Sequence, residues 1–178
     1  ESVRDKIPAS VFTTPYTNPV GGTPEKIRAN LREADRLLRE AGWELKGRNR
    51  VNSRGETLSL ELLGDDPNDE RIFLPYKAAL ERLGIAVSVR SVDPVQYVNR
   101  VRSFDFDVVS NVWAQSISPG NEQREFWGSQ AADRPGSQNI AGIKDPGIDA
   151  LIDRVIFAKS REELVAATKA LDRVLLAH

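Results

Sequence analysis

Between Leu58 and Val112 the spacing of apolar residues switches back and forth between strand and helix periods, and this alternation limits the fold more than any other feature of the chain. Leu58, Leu60 and Leu62 alternate with polar neighbours. Ile72, Leu74, Ala79, Leu80 and Leu83 then recur at helical spacing from Asp69 to Leu83, where Gly84 closes the run. Ile85–Arg90 reads as a strand. Asp93-Pro94 caps a short helix carrying Val95, Tyr97, Val98 and Val101, and Asp107–Val112 reads as a strand again. Strand, helix, strand, helix, strand with short links predicts parallel βαβ units. The expected fold class is α/β, with a mainly parallel sheet and flanking helices.

The flanking sequence is less regular. Residues 1–22, punctuated by Pro8, Pro15, Pro19 and Gly21-Gly22, read as an extended lead-in anchored by Phe12 and Tyr16. Thr23-Pro24-Glu25 opens a helix: threonine serves as N-cap, proline fits the first position and an acid meets the helix dipole. Ile27, Leu31, Leu37 and Leu38 give its apolar stripe and Gly42 its end. Trp43 to Leu63, broken by Asn52-Ser53-Arg54-Gly55, reads as a hairpin or small meander. Pro75 marks a kink in the second helix or a late start to it. Asp145-Pro146 opens a helix with Ile148, Leu151, Ile152 and Val155, and Ser160-Arg161-Glu162-Glu163 has the form of a capping box. Residues 23–178 are therefore expected to form one α/β lobe. The chain opens on Glu1, holds no methionine and stops straight after a helix at His178, so it is expected to be an internal piece of a longer protein.

Composition removes several kinds of chemistry. There is no cysteine, and the single histidine is His178. Thiolate catalysis, zinc–thiolate sites and a Ser-His-Asp triad lack material. A net charge of -1, with acids and bases interleaved, gives no nucleic-acid surface. No phosphate-loop or dinucleotide glycine pattern occurs, and the acidic turn Gly64–Glu70 lacks the spacing of a calcium loop. No cofactor or metal is expected.

The stretch from Phe104 to Asp153 carries the functional signal. Phe104-Asp105-Phe106-Asp107 places two acids on one face of a strand, either as a carboxylate pair or as a solvated edge. A long polar loop follows with Trp113, Gln115, Ser116, Asn121, Glu122, Gln123, Arg124 and Trp127. Indoles give flat apolar walls. Amides offer both donors and acceptors to a peptide backbone, and arginine can clamp a carboxylate. Such groups hold a ligand better than they break a bond. Trp113 either walls a ligand or closes the core at the strand end; Phe126-Trp127 either joins it or anchors the loop.

Phe12-x-x-Pro15-Tyr16, Gly21-Gly22-Thr23-Pro24-Glu25, Leu37-Leu38-x-x-Ala41-Gly42-Trp43, Leu83-Gly84-Ile85, Phe104-Asp105-Phe106-Asp107, Ser118-Pro119-Gly120-Asn121-Glu122-Gln123 and Asp145-Pro146-x-Ile148-Asp149-x-Leu151-Ile152 occur in this order. Over nearly the whole chain this set resembles the C-terminal lobe of family 5 extracellular solute-binding proteins of ABC importers, in the branch associated with microcin C and related oligopeptides. The resemblance implies a lobe of periplasmic-binding-protein type (type II, cluster C) and a partner lobe that closes over the solute. It also implies peptide or peptide-like cargo, delivery to a membrane permease, a periplasmic or cell-surface location and a monomer. Many members carry an acid shortly after the Trp-x-Ala of this loop. Here Gln115-Ser116-Ile117 follows Trp113-Ala114, so a free amino terminus is read differently or by Glu122. Two rival readings are a hydrolase acting on peptides or glycans through Asp105 and Asp107, and an interaction domain with no small ligand.

Overall fold

The computed structural model describes residues 3–178; residues 1 and 2 of the expected lead-in lie outside them. The elements in chain order are α1 (Ala9–Thr13), α2 (Pro24–Glu40), β1 (Glu44–Lys46), β2 (Asn49–Val51), β3 (Ser59–Gly64), α3 (Pro67–Glu81), β4 (Ala86–Ser91), α4 (Pro94–Arg102), β5 (Val108–Val109), α5 (Glu122–Trp127), α6 (Pro146–Ile156) and α7 (Arg161–Ala177). Contacts group the described residues into two compact units rather than one body running from residue 23. A sheet unit holds Asn18–Val101 and Asp105–Asn111; a helical unit holds the residues up to Thr17, Arg102–Phe104 and Val112–His178.

In the sheet unit the strand order is β4-β3-β5, all parallel. Leu60 and Leu62 therefore belong to the central strand of the βαβ system, and Leu58, just before it, donates its N–H to Arg50 O of β2. The antiparallel hairpin is β1–β2 alone, and the turn at 52–55 leads out of it after one bridge between Val51 and Thr57. Leu62, Phe73, Ile85 and Val87 form the core under this sheet. The helix starts obey their caps. Thr23 accepts from Lys26 N, Asp66 opens α3 with a reciprocal capping box through Asp69, and Asp93 Oδ1 accepts from Val95 N and Gln96 N. That box explains the acidic turn. The second helix starts at Pro67, so Pro75 lies inside it and is not a late start.

β5 is shorter than the Asp107–Val112 run because side chains take over at both ends. Asp107 Oδ2 accepts the Glu61 N–H at 2.8 Å, and the Tyr97 hydroxyl donates to Ser110 O at 3.0 Å. Burial, with the nearby Asp65 and Asp69 carboxylates, pushes the Tyr97 phenol above its usual range. Arg50 is 1 % exposed. Its Nε donates to Leu83 O at 2.7 Å, its Nη1 to Trp43 O at 3.2 Å and its Nη2 to Asp35. It ties α2, the hairpin and the end of α3 together, and it holds the Asp35 carboxyl below the usual carboxylate range. Gly84 sits beside it at φ 86°, where an added Cβ would stand 2.7 Å from Leu45 Cδ1, so glycine is required twice over.

The helical unit is built on α6 and α7, which bury Ile148, Leu151, Ile152, Val155, Leu171 and Val174. Ile7 and Val11 join that core. Residues 3–13 are thus not extended: Val3–Lys6 is a 3₁₀ turn, α1 follows, and Arg173 Nε donates to Val11 O at 2.6 Å. Asp145 Oδ1 caps α6 through Gly147 N and Ile148 N. Ser160 Oγ accepts from Glu163 N, but the Glu163 carboxylate reaches Lys159 N, one residue before the cap.

Candidate ligand-binding site

Val112–Asn121 carries neither helix nor strand, as expected of a polar loop. The residues after it differ from expectation. Glu122–Trp127 is the short helix α5, with Gln123 and Phe126 buried. Pro119-Gly120 ahead of it and the absence of an apolar stripe hid it from a periodicity reading.

Trp113 and Trp127 come together. Their ring centroids are 5.0 Å apart at 41°, and Trp127 stands edge-on to Phe126 at 6.2 Å and 70°. Trp127 packs against the α6–α7 core, and half-buried Trp113 lies against Trp127. Trp113 Nε1 donates to Gln138 O at 2.9 Å. With its N–H satisfied and one side supported, Trp113 offers a fixed apolar face. Val112 and Ile117, on the same loop, are exposed.

The other expected ligand groups divide. Gln115, Ser116 and Asn121 are exposed. Ser116 Oγ accepts Ser118 N at 2.9 Å, and Asn121 precedes α5 without a side-chain cap bond. Gln123 is 4 % exposed and donates through Nε2 to Gln115 Oε1 at 2.8 Å and to Glu122 Oε1 at 3.2 Å. It therefore orients its neighbours instead of presenting an open amide. Arg124 turns to α6, where it pairs with Asp153 at 2.8 Å and lies over the Phe157 ring at 5.7 Å. It is not part of the indole group. Glu122 Oε1 accepts the Gly120 N–H at 2.8 Å. That bond first, then the Glu122 N–H itself and last the Gln123 amide, hold the Glu122 carboxyl below its usual range against the cost of desolvation.

Asn139, to which the sequence reading gave no role, fastens the far side of this region. It is fully buried. Nδ2 donates to Gly128 O and Ile143 O, and Oδ1 accepts Ile143 N, each at 3.0 Å. The signal was an Asn three residues before Gly142, whose φ is 68°. Hollows also mark the helical unit, among them one of about 400 Å³ lined by Pro15, Tyr16 and Ala177. One of about 950 Å³ is lined by Leu151, Phe157, Ala167 and Glu163 among others. Another of about 370 Å³ holds Arg124, Ser129, Asp149 and Asp153. Trp113, Gln115, Ser116 and Asn121 line none of these hollows, whereas Gly128, next to Trp127, and Gln130 border the one of about 370 Å³.

Asp105 and Asp107 do not form a dyad. Asp107 caps the β3 backbone, while Asp105 Oδ2 takes Arg100 Nε at 2.9 Å. Among the described residues no group of three or more His, Cys, Asp or Glu is placed to hold a metal ion.

Residues 3–134 match the model of bacterial extracellular solute-binding proteins, family 5, middle region. The chain belongs to this family. The uncharacterized protein y4wM of Sinorhizobium fredii is 62 % identical over 99 % of the chain. The probable peptide-binding protein YejA of Agrobacterium fabrum is 55 % identical over the whole chain. The chain spans 27 % and 29 % of those two proteins. In three dimensions it is similar to the oligopeptide-binding protein AppA of Bacillus subtilis, solved with a nonapeptide. The TM-score is 0.72 at 21 % identity, over 82 % of the chain and 29 % of AppA. The family 5 fold, an α/β periplasmic-binding-protein lobe with a parallel sheet and flanking helices, is thereby established.

Proposed function

We propose that this chain forms one side of the solute site of an ABC importer's binding protein, taking peptides or peptide-like molecules. The observation that carries the reading is the Trp113–Trp127 pair at 5.0 Å, one ring anchored and the other held by its N–H, beside open amides on a loop without regular structure. Such a surface gains affinity by covering apolar side chains and pairing with main-chain groups. The probable peptide-binding character of a relative 55 % identical supports peptide cargo. On this reading a second lobe closes over the solute and the closed protein is recognised by a membrane permease. The protein acts as a monomer in the periplasm or at the cell surface, and catalyses nothing. Gln115, Ser116 and Asn121 contact the solute; Gln123 and Trp127 support those contacts.

The test is titration of the full-length protein with defined peptide pools, followed by calorimetry on the best binder. Trp113→Ala is expected to weaken binding by about tenfold or more, about 1.4 kcal/mol, with the far-UV spectrum intact. Unchanged affinity would remove Trp113 from the site.

A further inference from the structure

The hollow of about 950 Å³ opens at the elbow between α6 and α7. Leu151, Ala158, Ala166 and Ala167 give it an apolar lining. Phe157, the residue that ends α6, lines it too and is 68 % exposed. A single exposed phenylalanine is ordinary, but one that borders an open apolar hollow has the arrangement of an interface anchor.

Four charged side chains line the same hollow: Asp153, Arg154, Lys159 and Glu163. Both acids are engaged. Asp153 Oδ1 takes Arg124 Nη2 at 2.8 Å, and Glu163 Oε2 takes the Lys159 N–H at 2.8 Å. Both cations are exposed, and neither Arg154 nor Lys159 forms an ion pair among the described residues. The charge left available is positive, so the complement of this surface is an apolar side chain beside a carboxylate. The elbow is also joined to the indole loop by side chains. Gln123 of α5 donates to Gln115 on the loop at 2.8 Å, and Arg124, the next residue, holds Asp153 and lies over Phe157 at 5.7 Å. A partner seated at the elbow therefore rests on the same short helix that orients the loop's amides.

We propose that the α6–α7 elbow is a surface on which the membrane permease docks, and that the docking segment presents an apolar side chain to Phe157 and a carboxylate to Arg154 and Lys159. This rests on the importer reading above. The elbow hollow is lined by none of Trp113, Gln115, Ser116 and Asn121, so docking there leaves the solute contacts in place.

The test separates solute binding from delivery. Full-length protein is made as wild type, Phe157→Ser, Lys159→Glu and the double variant Arg154→Glu with Lys159→Glu. Calorimetry measures the affinity of each for the best binder of the peptide titration. Uptake of that peptide, tritium-labelled, is then followed in cells whose only copy of the binding protein is the wild type or one variant. The variants are expected to bind the peptide within about twofold of wild type. Uptake at limiting binding protein should fall by about tenfold or more for Phe157→Ser and for the double variant, with Lys159→Glu between them and wild type. Uptake equal to wild type in Phe157→Ser and in the double variant overturns the docking assignment and leaves the importer reading intact. A loss of peptide affinity that matches the loss of uptake also overturns it, because the elbow would then act on the solute and not on the permease. A wild-type protein that binds peptide in vitro and supports no uptake overturns the importer reading and this inference with it; one that binds no peptide overturns both as well.

Discussion

Replacing Asn139 with alanine should loosen the whole indole platform from a site that never meets solvent. The side chain is fully buried and makes three hydrogen bonds, each at 3.0 Å. A typical hydrogen bond contributes about 1 kcal/mol net, and a buried group left unpaired costs about 1–3 kcal/mol. Asn139→Ala strips a partner from Gly128 O, Ile143 O and Ile143 N. Counting about 1–1.5 kcal/mol for each gives a loss of about 3–5 kcal/mol, a large fraction of the about 5–15 kcal/mol that holds a typical domain. The effect should spread, because Gln138, the acceptor for Trp113 Nε1, is the adjacent residue. Urea titration of the full-length protein, followed by tryptophan fluorescence, should show an earlier midpoint and a red-shifted native spectrum. Asn139→Asp keeps the acceptor for Ile143 N but turns an oxygen on two carbonyls, and should cost at least as much. A loss below about 1 kcal/mol for Asn139→Ala would refute the view that this side chain fastens the region.

Arg50→Met keeps the apolar stem but forfeits bonds to Leu83 O and Trp43 O, and should destabilise the sheet unit by about 3 kcal/mol from those two charged hydrogen bonds alone. Chemical denaturation followed by circular dichroism measures it. Ser137 carries a buried hydroxyl without a partner among the described residues. Ser137→Ala should therefore be neutral or stabilising by up to about 1 kcal/mol, and a loss of stability would reveal a partner. Glu122 has a folded-state pKa below its ordinary 4.5. Its contribution is present above the unfolded value and is lost as pH falls through the lower folded one. An acid titration of tryptophan fluorescence should show a change in that window that Glu122→Gln abolishes.

The sequence disclosed what is local. Thr23-Pro24, Asp93-Pro94 and Asp145-Pro146 each pair a capping side chain with a proline fit for the first turn, and each opens a helix where expected. The βαβ alternation likewise set a parallel sheet. What it hid depends on partners distant along the chain. The parallel pairing of Leu60 and Leu62 with β4, while the Leu58 N–H still donates to Arg50 O of the hairpin, is decided across an intervening helix. Arg50 reads as one more surface arginine until Leu83 and Asp35 converge on it. At the site, the loop and its indoles were legible from residue type, since two tryptophans among amides exceed what a turn requires. That Gln123 points inward and that Arg124 leaves for Asp153 follow from the orientation of α5, a helix too short to show a period.

Native mass spectrometry of the full-length protein, purified without denaturation as wild type and as Trp113→Ala, tests the central claim most directly. The account expects a peptide-sized mass on the wild-type protein that is weakened or lost in the variant. A wild-type protein that stays bare after incubation with peptide pools, or a cargo retained equally by both, would contradict it.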